Sequence, residues 1–321
     1  MELIKIEGLS PHEYEHPLDK KALDVLEKTP GLDFLVKKFY EFSTEKLMKI
    51  EFVGSNLKVT PSSFPDIYEV FEDACETINL KKIPEIYLRY NDYFRTLGFT
   101  TNNLQGITVG VNSPLVAISI ECIESFSRSE LLFIVGCEIG RIKSQHILYE
   151  DIARLLPVFS SLITAATFGF GGFTYSFIAG LDVALTQWLR MADYTADRAG
   201  LLACQDVNSA MTAMAKIAGL PAKYFDSFNI DDFITQAREF EGFADTIHNK
   251  LIKSISLMYR DQAFTIARAN ELLKWIDSRG YQDVLERKTK VQLPPSPKYC
   301  RHCGSELQSS NVFCAGCGKK L

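Results

Sequence analysis

Apolar residues recur at helical spacing through most of this chain, interrupted by a few short stretches of strand character. Residues 18–48 read as helix with a break at Thr29-Pro30-Gly31, where proline and glycine end the pattern. Met48 to Val53 and Leu57 to Thr60, either side of Gly54-Ser55-Asn56, read as the two arms of a hairpin. Phe64 to Asn79 predicts a helix, Glu85 to Tyr90 a strand, and Ile107 to Ile120 further sheet. Ser127-Arg128-Ser129-Glu130 carries a capping-box signature ahead of an apolar-periodic helix at Leu131 to Ile142. From Asp182 the pattern is helical almost to Arg287, and Gln292-Leu-Pro-Pro-Ser-Pro-Lys298 is a stiff linker. The sum is an α+β chain, mostly helical, with a small sheet beside the 131–142 helix.

The run from Leu155 to Leu181 holds no charge and centres on Phe168-Gly-Phe-Gly-Gly-Phe173. Its length alone suggests a membrane span, yet two crossings need roughly 36 to 40 residues plus a turn. The expectation is a helical hairpin turning near Gly169 to Gly172, buried or at an interface, with peripheral membrane contact as the alternative.

Within the 131–142 helix, Cys137-Glu138-Ile139-Gly140-Arg141 approaches the H-E-x-x-H pattern, in which two histidines one turn apart hold zinc and the glutamate is a general base. Only Glu138 is intact. Arginine has no lone pair to give and keeps its proton at ordinary pH, so Arg141 cannot ligate a metal. Its planar fork can instead bridge Glu138 and Asp193, with a side chain pointing to solvent as the alternative. Cys137 reads as a small buried hydrophobe, with a reactive thiol as the alternative. His146 is about 900° of helical rotation beyond Cys137 and faces away if the helix continues; it and His248 read as surface or capping groups.

The surroundings carry a resemblance. Tyr14-Glu-His-Pro-Leu-Asp19, Gln105-Gly-Ile-Thr-Val-Gly110, Pro114 to Ile120, Arg190-Met-Ala-Asp193-Tyr-Thr-Ala-Asp197-Arg-Ala-Gly200, Gln236-Ala-Arg-Glu239 and Trp275 together resemble the M48 metallopeptidases, in the bacterial form with a C-terminal zinc ribbon. The resemblance implies a zincin-like fold. It also implies histidine ligands where this chain has Cys137 and Arg141, and a glutamate ligand at Asp193, four residues before Asp197. A transition-state histidine is implied at Gln262, ahead of the matching Arg268. Glu138, Gly140, Asp197 and Arg268 match the family; Cys137, Arg141, Asp193 and Gln262 depart from it. The expectation is a degenerate site without a catalytic metal.

Cys300-Arg-His-Cys303-Gly and Cys314-Ala-Gly-Cys317-Gly form two knuckles whose four thiolates suit one structural zinc. So short a segment cannot build its own core and needs the metal to fold. The expected domains are 1–291, a linker at 292–298, and the ribbon at 299–321. Net charge is −5, and from Lys298 onward four basic residues face only Glu306, so nothing argues for nucleic acid. Residues 1–20 mix acids, bases and histidines, and no signal peptide is expected. Cys75, Cys122, Cys137 and Cys204 stand apart in apolar contexts and are expected to be reduced. These features suggest a cytoplasmic, or membrane-associated, pseudopeptidase. It would bind a protein or peptide at the old substrate cleft, with the 155–181 hairpin as a site for self-association or membrane contact. The alternatives are an active zinc endopeptidase with atypical ligands and a peripheral membrane adaptor.

Overall fold

The computed structural model describes residues 3–41, 44–90, 104–166, 171–243, 263–287, 299–300, 303–307, 314 and 316–317. The expected linker at 292–298 lies outside them, as do Gln262, His248 and His302.

Helix α1 (Pro17–Glu27) starts on a proline at its first turn, and the His16 ring Nδ1 accepts from the Leu18 amide at 3.1 Å. The predicted break at Thr29-Pro30-Gly31 separates it from α2 (Leu32–Glu41). The expected 48–60 hairpin is corrected: Met48 to Val53 lies inside helix α3 (Thr44–Ser55). The alternation Met48, Ile50, Phe52 looked like a strand, but the residues that are buried are Met48 and Phe52, four apart, while Ile50 and Val53 face solvent. Only Leu57–Val59 becomes strand, β1.

The sheet has four strands in the order β1-β2-β4-β3, where β2 is Glu85–Arg89, β3 Gly106–Val109 and β4 Leu115–Ser119. β4 runs parallel to β2 and antiparallel to β3, and all five of its residues are buried. That burial on both faces explains the unbroken apolar run of Leu115 to Ile118. Strand alternation then divides the interior. Ile86, Leu88, Val116 and Ile118 point into one hydrophobic cluster, with α4 (Pro65–Thr77) and α6 (Arg128–Lys143). Tyr87, Leu115 and Ala117 point into a second, with α2, α3 and the first turns of α7 (Ile147–Ala166). The short α5 (Ile120–Ser125) links β4 to α6.

Helix α8 (Gly171–Cys204) joins the two clusters. At 34 residues it is about 50 Å long. Leu181, Leu185 and Trp188 lie in the second cluster, and Ala196, Ala199 and Leu202 in the first. α7 and α8 pack together as the two helices expected of the 155–181 run, although the turn itself falls largely outside the described residues. Among the described residues, no helix is long and apolar enough to cross a membrane. Helices α9 (Val207–Ile217), α10 (Ile230–Phe243), α11 (Thr265–Asp277) and α12 (Gly280–Leu285) complete the first cluster.

The described ribbon residues pack on α2. The buried Tyr299 joins the second cluster, donates its hydroxyl to Asp33 and meets Tyr149 edge-on at 6.4 Å. Gly304 lies so close to Tyr40 that a Cβ there would come within 2.5 Å of the ring.

Candidate functional site

Two helices hold the centre. Ser127 and Glu130 form the predicted capping box at the start of α6, with the Ser127 amide donating to Glu130 at 2.6 Å. α6 then crosses α8 at very close range: a Cβ on Gly140 would sit 2.3 Å from that of Ala199. This approach brings Cys137, Glu138 and Arg141 against Asp193 and Asp197 of α8, as expected.

Arg141 is the hub. Its Nη2 donates to Asp193 Oδ1 at 2.6 Å, and its Nε lies 3.7 Å from Glu138 Oε1. The third partner is one the sequence reading missed: Nη1 donates to Glu150 Oε1 at 2.7 Å. Arg154, one turn further along α7, donates to the other Glu150 oxygen and to Asp151, each at 3.0 Å, and to the Thr108 carbonyl at 2.6 Å. Thr108, on β3, donates its hydroxyl to Glu138 at 2.7 Å. Across the site, Arg268 of α11 forks onto Asp197 with bonds of 2.9 and 2.6 Å. The backbone amide of Ala263 donates to Asp193 Oδ2 at 3.4 Å.

Burial and charge decide the protonation states. Burial works against the charge on Arg141, but Glu150, Asp193 and Glu138 outweigh it and hold the guanidinium firmly protonated. Burial also opposes ionisation of Glu150, yet Arg141 and Arg154 keep its carboxyl below the usual range. For Glu138 burial wins, and its carboxyl is raised despite Arg141 and the Thr108 hydroxyl. Asp151 is pushed up to about 7 by burial, with Arg154 and the Gly110 amide pulling the other way. Cys137 is buried, its sulfur 3.8 Å from Asp197 Oδ1, and burial together with Asp197 drives its thiol well above the ordinary value.

A zinc ligand must present a lone pair, and a cysteine ligand must be a thiolate. Here the acceptors that would face a metal already face Arg141 N–H groups, and Cys137 stays protonated. The residues present do not fit the catalytic zinc that the resemblance implies.

His146 is corrected too. α6 ends at Lys143, and Gln145 turns the chain with φ of 62°, so the rotation that placed His146 on the far side stops short. His146 is buried, with Nε2 3.2 Å from Asp19 Oδ2. Asp19 also accepts from the Trp188 indole at 3.0 Å and from the Thr195 hydroxyl. Burial disfavours the imidazolium, but Asp19 raises the His146 pKa above its ordinary value; burial likewise opposes the Asp19 carboxylate, and His146 lowers its pKa in turn. The Tyr14-to-Asp19 element thus fastens α1 to α8. Its histidine contributes as well, the His16 amide donating to Thr195 at 3.0 Å and the ring reaching Glu271 at 3.1 Å.

The ribbon offers the opposite arrangement. The sulfurs of Cys300, Cys303, Cys314 and Cys317 lie within 4.8 Å of one another, with Cys300 to Cys317 at 3.7 Å and Cys303 to Cys314 at 3.5 Å. Zn–S bonds of about 2.3 Å in a tetrahedron place sulfurs roughly 3.8 Å apart, so these four fit one structural zinc.

The family model for peptidase family M48 matches residues 61–254, and that for a zinc-ribbon domain matches residues 299–321. The chain belongs to peptidase family M48. This M48 chain is 25% identical over 282 residues to the plastoglobule-localized metallopeptidase 48, chloroplastic, of Arabidopsis thaliana, an alignment covering 88% of this chain and 77% of that protein. No solved structure matches it.

Proposed function

We propose that this M48 chain has kept the peptidase fold and given up metal-dependent hydrolysis, and that it acts by binding. The observation that carries the reading is Arg141, whose guanidinium stands between Asp193, Glu150 and Glu138 where the family's chemistry needs a divalent ion. A fixed organic cation neutralises converging carboxylates, but it has no open coordination position to polarise a carbonyl or activate water. The cleft of such a fold runs beside the motif helix. Its wall here is β3, one of the two edge strands of the sheet among the described residues, and a partner polypeptide is the ligand that suits a strand edge.

The competing reading, an endopeptidase with atypical ligands, is favoured by the name of the Arabidopsis relative, a metallopeptidase. Elemental analysis of the full chain, paired with a broad peptide-library cleavage assay, separates the two. One zinc per chain and no chelator-sensitive cleavage are expected; a second stoichiometric zinc with cleavage overturns the proposal. The relative's plastoglobule name also supports peripheral association through residues 155–181. That is tested by whether carbonate strips the chain from membranes: release is expected, and retention would exclude a peripheral mode.

A further inference from the structure

A cavity of about 770 Å³ opens at the C-terminal end of α6, between α1, the loop before β2 and the β3–β4 turn. Its size is that of a small-molecule site. It lies apart from the Arg141 centre, and nothing in the M48 chemistry accounts for it. Much of the lining is apolar, with Leu80, Ile83, Ile142, Leu148 and Tyr149 among its residues.

The charges in its wall are unevenly matched. Of the acids there, Glu85 accepts from Lys49 and Lys58, Glu27 from the Tyr149 hydroxyl, and Glu15 pairs with His12, while Asp24 is exposed at the α1 side of the wall. The lysines differ. Lys143 donates only to the Asn79 carbonyl, at 2.9 Å, and Lys20, Lys81 and Lys82 form no ion pair with any described residue. Lys143 is half-buried, and burial with Lys81 nearby pushes it down to about 8, although Glu13 acts the other way. A partly desolvated ammonium beside a like charge, at the edge of an apolar hollow, is a position that an anion stabilises.

We propose that this cavity binds a small amphiphilic anion, its acid group against Lys143 and Lys81 and its hydrocarbon part in the apolar hollow. The site is independent of whether the Arg141 centre hydrolyses anything. The test is calorimetric titration of the full, zinc-loaded chain with decanoate, decanol and inorganic phosphate. Decanoate should bind one to one, at least tenfold more tightly than decanol, with phosphate weaker still. Lys143→Gln should lose at least tenfold in decanoate affinity and Lys143→Arg should retain it. Lys81→Gln, at an exposed position, should lose a smaller factor, about threefold. The proposal is overturned if decanol or phosphate matches decanoate, if decanoate does not bind, or if Lys143→Gln and Lys81→Gln both leave its affinity unchanged.

Discussion

Among the described residues, side chains converge in the ribbon as if on a metal and in the core around an arginine, and the two balance charge in opposite ways. In the ribbon, four cysteine sulfurs gather as a set that an ion from outside would complete. In the core, Asp193, Glu150 and Glu138 gather around a guanidinium that the chain supplies. Converging carboxylates need a positive charge, and its chemical identity decides what else the site can do. A metal adds reactivity and dependence on supply. An arginine adds neither, and its rigid fork ties three helices, α6, α7 and α8, at one point.

The largest effect separating the two sites should come from the ribbon. Replacing Cys300 and Cys303 together by serine should take the zinc content from one per chain to none. It should also remove most of the roughly 10 kcal/mol or more that a structural zinc contributes to folding its own segment. Hydrogen exchange should then be fast around Tyr299 and on the α2 face it covers, and little changed in α6. Zinc persisting at full stoichiometry in that variant would place a metal in the core and end the contrast.

Next comes the core. Arg141→Ala leaves Glu150 and Asp193 buried without their main partner, which should cost about 3–5 kcal/mol in denaturant unfolding. Arg141→Ala combined with Glu150→Gln should cost clearly less than Arg141→Ala alone, because one of the two stranded charges goes too while the lost side-chain volume is the same. Equal losses for the two variants would mean that packing, not charge, is what Arg141 supplies.

A smaller effect on stability, but a sharper one on chemistry, is expected from restoring the family's ligands. Cys137→His, Arg141→His and Asp193→Glu in one chain should raise the zinc content from one to two, since the α6–α8 spacing that positions them is intact and Arg154 remains to pair with Glu150. A chain that folds yet stays at one zinc would show that the backbone has drifted from metal-binding geometry.

The smallest is a pH effect. His146 has a folded pKa above its ordinary 6.5, so its contribution is full below that value and is lost as pH rises through the higher folded one. Asp19 has a folded pKa below its ordinary 3.8, so its contribution is present above 3.8 and is lost as pH falls through the lower folded one. Their pairing is therefore worth most between these two ordinary values. His146→Gln should flatten the decline in unfolding free energy above about pH 6.5. An unaltered slope would remove this pair from the account.

The parts of the site carried by local signals were legible in the sequence. The Ser127–Glu130 cap, the ligand-spaced residues of α6 and the Asp193–Asp197 element depend on spacings of three or four residues, and the structure brings them together. What was not legible depended on where a helix stops. The turn at Gln145 redirects the chain into α7, and only then do Glu150 and His146 arrive beside Arg141 and Asp19. A usable signal was present: Glu150, Asp151 and Arg154 are acids and a base on one helical face just before a charge-free run, which is where charges turned inward would be expected. The 48–60 segment failed differently, because three apolar residues at alternate positions fit a strand and, with Phe52 four after Met48, also fit a helix. The packing of the ribbon on α2 was hinted at only by Tyr299, an aromatic residue directly ahead of the first knuckle.

The passage of α8 through both halves of the interior gives the protein a built-in optical readout. Of its two tryptophans, Trp188 belongs to the second cluster, edge-on to His146 and Tyr149, and Trp275 belongs to the first, beneath the Arg198 guanidinium. Each emits from a different side of the sheet. Because one unbroken helix is shared by the two sides, neither half can melt without fraying the other's backbone. The two fluorescence signals, separated by single Trp→Phe replacements, should therefore change at the same denaturant concentration. The sheet partitions the side chains of this molecule, but the long helix makes its unfolding a single event.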